Sequence, residues 1–472
     1  AMEYNKGGNL RPPLDDKEFE KLWKQSVGFI ARGEDKQEGN GDIKPTTDEE
    51  KPEKEKKKRK VFIRKYSGNE TLSLHESVVI YGQPPVFLSL TDNYRPQYIP
   101  DIETTNKILY AADTIDTRNP LPYVFQSTTE LEKYLELARI ETFETLYSKV
   151  ESIFKKYVNI EEHYITVLSA DIIYSYFQDK FGTTHYNIFV GDNGSGKNSA
   201  LLVFKYLGYR VFYVVSASAP NYFTFLGDIE EGQGSIAEDE AEGIGYDIEK
   251  QKVIKTGYCS GATVPKVDLS FGRTQGDWLT YCHKWFAMEE LPDYKKIKGV
   301  QDRAFVYNFV VATVPYNIKD VMKDTGDPEF KSLHEELMDT RKLLFAFRMI
   351  HYGDVIPNIK LNIIHRNEEL AKPLLRLFSY RKDSPIALDK IRLALSKFIL
   401  GRNESKRNSV ESKLLETIRN LIKRREEYKD QHEGKEYESF EGLDSPYSFY
   451  NDQIWAELKD LMDGKEIPGK SE

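Results

Sequence analysis

Cysteine is almost missing from this chain. Its 472 residues include two, Cys259 and Cys282, with no CxxC pair, and the eight histidines fall in no metal-ligand spacing. A disulfide framework is thereby excluded and a zinc site disfavoured, so both thiols are expected reduced and packed, as in a cytoplasmic protein. No stretch approaches the roughly 18 consecutive apolar residues of a membrane span, and the N-terminus has no signal-peptide core, so no membrane partner is expected. A basic excess is missing too: the formal net charge is −9. Any contact with nucleic acid must then come from a local surface such as a ring pore. What is present is apolar mass, 39% hydrophobic and 12% aromatic. In a chain of this length that supports more than one core and a division into several domains.

The pattern along the chain predicts seven regions. In residues 1–32, Asp15 with Glu18 three positions on forms a capping signal, and Phe19, Leu22, Trp23 and Ile30 recur at helical spacing. Residues 33–60 end in "KPEKEKKKRK" and read as a charged, disordered linker. Residues 61–127 carry short alternating stretches broken by Pro and Gly, the mark of a small β-containing unit. Residues 128–181 read as helices, the last so apolar that it is expected to pack on the 182–322 module that follows. Residues 323–400 read as a helical lid, with Arg341 or Arg348 able to sense a ligand. Residues 401–472 read as a helical region that would suit a partial winged helix. The Ala1–Met2 start and the "GKSE" end are expected of an excised fragment.

The 182–322 module opens with "YNIFV", then "GDNGSGKNSA", then the apolar helix pattern "LLVFKYL". A strand, a glycine loop and a helix start in that order make an anion cradle of inward backbone N–H groups. The expected cradle is Gly191, Asp192, Asn193, Gly194, Ser195, Gly196, Lys197, Asn198 and Ser199, with Lys197 reaching the β- and γ-phosphates of a nucleotide. Asn198 stands where a Mg²⁺-binding hydroxyl is usual. Its carbonyl oxygen could serve the metal directly or through water, and Ser199 is the adjacent hydroxyl.

The second half of such a site is a carboxylate pair at a strand end, and "GSIAEDEAEG" supplies Asp239 for the metal and Glu240 to orient a water. Glu238 occupies a position where an aliphatic residue is usual. "VPKVDLSFGRTQGDWL" reads as a hairpin with Lys266 on one arm and Arg273 near the tip, either a grip on nucleic-acid phosphates or an ordinary surface turn. Arg303, just before the strand "AFVYN", is either an arginine supplied to a neighbouring subunit's nucleotide or a structural ion-pair partner.

Taken together, the loop, the "EDEAEG" box, the "FAMEELPD" strand end and "DRAFVYNF" resemble the core of AAA+ and superfamily 3 helicases. The likeness is to the helicase part of archaeal plasmid and viral primase-helicases. The resemblance implies an α/β P-loop NTPase (AAA+-like) core, ATP and Mg²⁺ as cofactors, and a hexameric ring that translocates on single-stranded DNA or a fork. It also implies a primase-polymerase domain elsewhere on the full-length chain. Within that pattern Lys197, Asp239, Glu240 and Arg303 carry catalysis, and Glu289 stands where a polarising Asn is common. Two rivals remain open: a nucleotide-controlled assembly or loading switch that unwinds nothing, and a P-loop scaffold slowed by Asn198 and Glu289.

Overall fold

The computed structural model describes residues 58–67, 74–112, 120–226, 230–268, 274–292, 294–324, 326–361, 366–407 and 410–431, together with 454 and 458. All of them belong to one compact unit, Lys58–Glu472. The expected N-terminal helix, most of the charged linker, Arg273 and the helix expected near residue 455 lie outside the described residues, apart from those two isolated positions.

Eight short strands come first: β1 (Arg59–Ile63), β2 (Lys65–Tyr66), β3 (His75–Ile80), β4 (Val86–Leu90), β5 (Pro96–Ile99), β6 (Asp101–Glu103), β7 (Lys107–Ala111) and β8 (Val124–Phe125). They form one sheet ordered β1-β7-β6 and another ordered β2-β3-β4-β5, with β8 pairing on β3. Three helices follow, α1 (Thr128–Ile140), α2 (Phe143–Tyr157) and α3 (Glu162–Ser175). Ser127 caps α1, and Thr142 with Thr145 forms a reciprocal capping box on α2, so each start satisfies backbone donors that the helix leaves open. From Tyr164 to Ser175 every residue of α3 is buried, which its mostly apolar sequence permits on all sides.

The central sheet is wholly parallel. Its strands are β9 (Tyr186–Val190), β10 (Val211–Val215), β11 (Ser235–Asp239), β14 (Lys284–Met288) and β15 (Ala304–Asn308), in the order β10-β11-β14-β9-β15. A parallel sheet needs crossovers that cover its faces, and the near-continuous apolar runs "YNIFV" and "KWFAM" fit strands with few solvent-facing positions. The crossovers and flanks are α4 (Lys197–Leu207), α5 (Ala219–Leu226), α6 (Ile248–Thr256), α7 (Tyr294–Gln301), α8 (Ile318–Lys323), α9 (Pro328–His351), α10 (Arg366–Ser379), α11 (Pro385–Arg407) and α12 (Val410–Gln431). Phe204 of α4 stacks on Trp285 of β14 at 4.0 Å, locking helix to sheet. Between α6 and β14 the antiparallel hairpin β12 (Thr263–Asp268) and β13 (Thr274–Leu279) pairs from Thr263↔Leu279 to Asp268↔Thr274.

Three expectations are corrected here. Arg341 and Arg348, on α9, are not sensors at a ligand site. Arg341 is buried, donating to the Leu121 carbonyl at 2.5 Å and lying 4.1 Å from the Tyr123 ring. Arg348 is buried among Glu76 (2.7 Å) and both oxygens of Asp179 (3.0 and 2.8 Å). Arg210 joins Glu76 at 3.0 Å, and Lys65 lies 3.1 Å from Asp179 and 3.6 Å from Glu230. Three cations and three carboxylates thus bind the early strands, the N-terminal edge of the central sheet and α9 together. All but the part-exposed Glu230 lie deep, and charges so deep are tolerated only because they are paired.

The thiols also differ from expectation. Cys282 is buried, whereas Cys259 is exposed. Histidines do cluster, because the fold brings distant positions together: Asp171, His185 and His283 meet in the core. Asp171 accepts from Asn187 at 2.6 Å and lies 2.7 Å from His185 Nε2, while His283 accepts from Trp285 Nε1 at 2.7 Å and faces the His185 carbonyl at 2.8 Å. Both carboxylate oxygens and both His283 nitrogens are engaged by the protein, so the cluster works as a polar pin between α3, β9 and β14. Among the described residues, no helix is long and apolar enough to cross a membrane.

Candidate functional site

The chain leaves β9 at Val190 on the C-terminal edge of the parallel sheet, where open α/β sheets place their ligand crevices. Gly191 donates its N–H to the Glu289 carbonyl at 3.3 Å. A Cβ on Gly191 would stand 2.2 Å from the Phe309 carbonyl oxygen, so the close approach of the β15 exit requires glycine. Gly194 (φ +80°) and Gly196 (φ +97°) take left-handed conformations that curl the loop back into the start of α4.

Lys197 opens α4 and is only 8% exposed. Its ammonium donates to two loop carbonyls, those of Gly191 and of Asp192 (2.9 Å), and no carboxylate pairs with it among the described residues. Beside it the buried Ser195 hydroxyl has no hydrogen-bond partner. Buried polar groups are normally satisfied. A cation held by neutral carbonyls and an orphaned hydroxyl, side by side on a cavity, suit an anionic ligand.

That cavity has a volume of about 960 Å³. It is lined by the loop from Asn193 to Ser199, by Asp239, Glu240 and Glu242, by Glu289 and Glu290, and by Ala312, Val314, Asn317 and Lys319 among others. Lys197, Asn198, Ser199, Asp239, Glu240 and Glu289 therefore meet at one place. Asn198 donates from Nδ2 to Asp239 Oδ2 at 2.8 Å and accepts from the Tyr213 hydroxyl at 3.2 Å. Asp239 Oδ1 accepts from the Glu240 N–H at 3.1 Å. Burial and the neighbouring Asp239 carboxylate push the Tyr213 phenol up to about 12, so it keeps its proton and can donate. Glu240 has φ +52°, an uncommon conformation for a residue with a side chain, at the point where β11 breaks into the short turn Ala241–Gly245.

Two further links close the rim. Glu289 accepts from the Asn193 amide, and its own N–H donates to Glu242 at 2.7 Å, tying the glycine loop to the ends of β14 and β11. The odd Glu238 is explained by strand alternation. It points away from Asp239 into the protein, where it accepts from Lys250 of α6, Tyr222 of α5 and the Ala217 N–H (2.9 Å). It anchors both helices to the strand that carries Asp239.

Not every sequence-derived candidate arrives at the cavity. Arg303 sits before β15, at the N-terminal edge of the sheet, about 16 Å of strand from the glycine loop at 3.3 Å per residue. Its guanidinium donates to the Gly299 carbonyl and lies 5.2 Å from the Tyr258 ring. Within one chain it belongs to a different face. Lys266 lies on β12 opposite Gly276; Arg273 falls outside the described residues. No described residue of 323–400 lines the cavity, so the helices read as a lid are not its cover.

Four site residues escaped the sequence reading. Tyr213 had a usable signal: on β10 it is two residues before Val215, which pairs with Asp239, so the two-residue period puts Tyr213 on Asp239's face. Glu242 and Glu290 sit beside recognised positions in acidic runs that carry no spacing of their own. Lys319 begins α8 after an irregular segment, and only the three-dimensional path brings it to the cavity.

No protein-family model matches the chain, and neither does any curated protein. Among solved structures, the chain is similar to a full-length MCM homolog from Methanopyrus kandleri, with 16% identity, 71% of this chain and 76% of that one covered, and a TM-score of 0.33. It is similar to the NrS-1 C-terminal region, at 12% identity over 82% and 83% of the two chains with a TM-score of 0.30. It is also similar to the JCV helicase in complex with a small molecule, at 12% identity over 58% and 67% with a TM-score of 0.27.

Proposed function

We propose that this chain is an ATP-hydrolysing motor subunit of the AAA+/superfamily 3 kind that acts on single-stranded DNA. The observation that carries the reading is the cavity in which a charge-unpaired Lys197 faces an Asp239 already linked to the loop through Asn198. Lys197 and the loop N–H groups would hold the β- and γ-phosphates, and Glu240 would orient the attacking water. Five carboxylates line the cavity against two lysines, so a nucleotide polyanion needs a divalent cation to enter on favourable terms. Asp239 and Ser199 offer the hard oxygen donors that Mg²⁺ prefers, and the ion would supply charge neutralisation of the transferring phosphoryl group.

Output to DNA would run through the hairpin. It follows α6 directly, and Glu238–Lys250 ties α6 to the strand bearing Asp239. Trp278 of β13 also packs on Phe223 of α5 with ring centroids 5.9 Å apart. A change at Asp239 and Glu240 thus has a packed route to the hairpin, whose Lys266 and Arg273 would contact phosphates irrespective of sequence. Arg303, far from its own chain's cavity, would complete the site of the next subunit in a head-to-tail ring.

The test is Mg²⁺-dependent ATP hydrolysis with and without single-stranded DNA at matched salt. Lys197→Ala should abolish turnover, Arg273→Ala should remove only the stimulation by DNA, and Arg303→Ala should lower turnover by roughly 10³-fold or more. Ring formation driven by nucleotide without strand displacement would favour the assembly switch. Absence of turnover at any protein concentration would favour the scaffold.

A further inference from the structure

The small sheet β1-β7-β6 keeps one face dry. Ile63, Leu109 and Ala111 are buried there with Phe87 of β4, and Val61 and Ile102 pack against them. Strand alternation turns the neighbouring positions outward, where polar side chains are the ordinary choice. Here the outward row from β1 to β6 is Phe62, Tyr110 and Asp101, and the row beside it is Lys60, Ile108 and Glu103. Phe62 is 69% exposed. Its ring lies 5.7 Å from that of Tyr110, tilted by 34°, so the two make one aromatic surface, and the Lys60 ammonium stands 5.7 Å from the Tyr110 ring. A lone exposed apolar side chain is ordinary, whereas two rings and an isoleucine on one small outward face call for a partner.

Charge is graded across the same face. Glu103 is paired with Lys58 at 2.7 Å, which leaves Asp101 as the acidic group of the β6 edge. The β1 edge is basic: residues 54–60 read "KEKKKRK", six cations to one carboxylate in a chain of net charge −9. The end of what reads as a linker is already strand at Arg59 and Lys60. Rings flanked by cations on an open sheet face suit single-stranded nucleic acid, whose bases stack and whose phosphates meet the lysines. A duplex keeps its base faces stacked inside and could use the cations but not the rings.

We propose that the face carrying Lys60, Phe62 and Tyr110 is a stacking platform for single-stranded nucleic acid, with bases on the two rings and the backbone along the basic β1 edge. That the strand is DNA rests on the motor reading above. Neither ring lines the nucleotide cavity, so the platform holds its strand without ATP.

The experiment measures anisotropy of a short labelled oligothymidylate with the full chain, without nucleotide and over a range of salt. An abasic strand of equal length is the comparison. Phe62→Ala should weaken oligothymidylate binding roughly fivefold or more, the effect of losing one stacked base, and leave the abasic strand within about twofold. Phe62→Tyr keeps a ring and should bind as the unaltered chain does, with thermal unfolding as the control for folding. Lys60→Ala should weaken both strands and make the slope of log affinity against log salt shallower by about 0.7, one phosphate contact on a single strand. No loss with Phe62→Ala, or an equal loss on both strands, would overturn the platform. Binding lost with Arg273→Ala and untouched by Phe62→Ala would also overturn it, while leaving the motor reading in place. Phe62-dependent binding by a chain that hydrolyses no ATP would keep the platform and sink the motor.

Discussion

At the N-terminal edge of the central sheet, Lys65, Arg210 and Arg348 meet Glu76, Asp179 and Glu230, and every one of these charges has an opposite charge within 3.6 Å. At the C-terminal edge, five carboxylates and two lysines share a cavity, and Lys197 is bonded to carbonyls alone. The same side-chain chemistry serves two ends. Where charges are mutually satisfied and dry, removing one strands its partner, and the cost falls on the fold. Where they face a cavity with partners lacking, the cost falls on whatever ligand completes them.

The contrast breaks most visibly at Arg348. Arg348→Ala leaves Glu76 and Asp179 buried with one cation fewer and should cost about 3–5 kcal/mol, read by urea denaturation. Lys197→Ala, equally a loss of one buried cation, should cost less than about 1 kcal/mol because no carboxylate depends on it. Equal losses would erase the distinction between the two ends. Acid should separate them as well. Burial alone would push the Asp179 carboxyl up, but Arg348 and Lys65 outweigh it and hold the group well below the usual carboxylate range. A depressed carboxylate contributes stability that is complete above its unfolded value near 4 and lost as pH falls. Stability should therefore decline below about pH 4, and Asp179→Asn should flatten that decline while lowering stability at neutral pH.

Gly191→Ala lies next in size and joins the two kinds of cost. The new methyl would stand 2.2 Å from the Phe309 carbonyl, which is backbone and can move only with the β15 exit. A stability loss of about 1–3 kcal/mol is expected, as for other overpacked sites. It should come with weakened nucleotide binding, because the loop carbonyl of Gly191 also holds Lys197. A stability loss with unchanged binding would show that the loop's geometry does not depend on that contact.

The two ends also differed in how far they could be read from sequence. The cavity was legible where its chemistry is local: nine consecutive residues from Gly191, and a carboxylate pair at a strand end, have fixed spacings because a loop and a helix start have fixed geometry. The ionic network was not, since Lys65, Glu76, Asp179, Arg210, Glu230 and Arg348 come from six separate places and only the fold makes them neighbours. Arg348 was misread for the same reason. An arginine on an amphipathic helix carries no local sign of whether its partner is a phosphate or a carboxylate distant in the chain. Glu238 ran the other way, an anomaly within a recognised motif that became intelligible once Lys250 and Tyr222 were seen beneath it. The α/β core was expected from the family resemblance that its motifs carry, whereas the buried Asp171, His185 and His283 pin followed from nothing periodic at all.

The smallest expected effect tests the cavity by adjusting its charge rather than its shape. Glu289 accepts from Asn193 and lines the cavity with four other carboxylates. Glu289→Gln retains a carbonyl oxygen for Asn193 and removes one negative charge from a space proposed to receive a polyanion. Because Glu289 is exposed, stability should change by less than about 0.5 kcal/mol. Metal-free affinity for an ATP analogue should rise roughly fivefold at low salt and less at high salt, as screening shortens the reach of the remaining carboxylates. With Mg²⁺ present the gain should shrink, since the cation already offsets part of the repulsion. A fall in affinity would give Glu289 a different part: its charge would be holding Asn193 and the glycine loop in place, a contact the neutral amide cannot replace. The sign of one change at the rim thus separates a carboxylate that opposes the ligand from one that shapes its cradle.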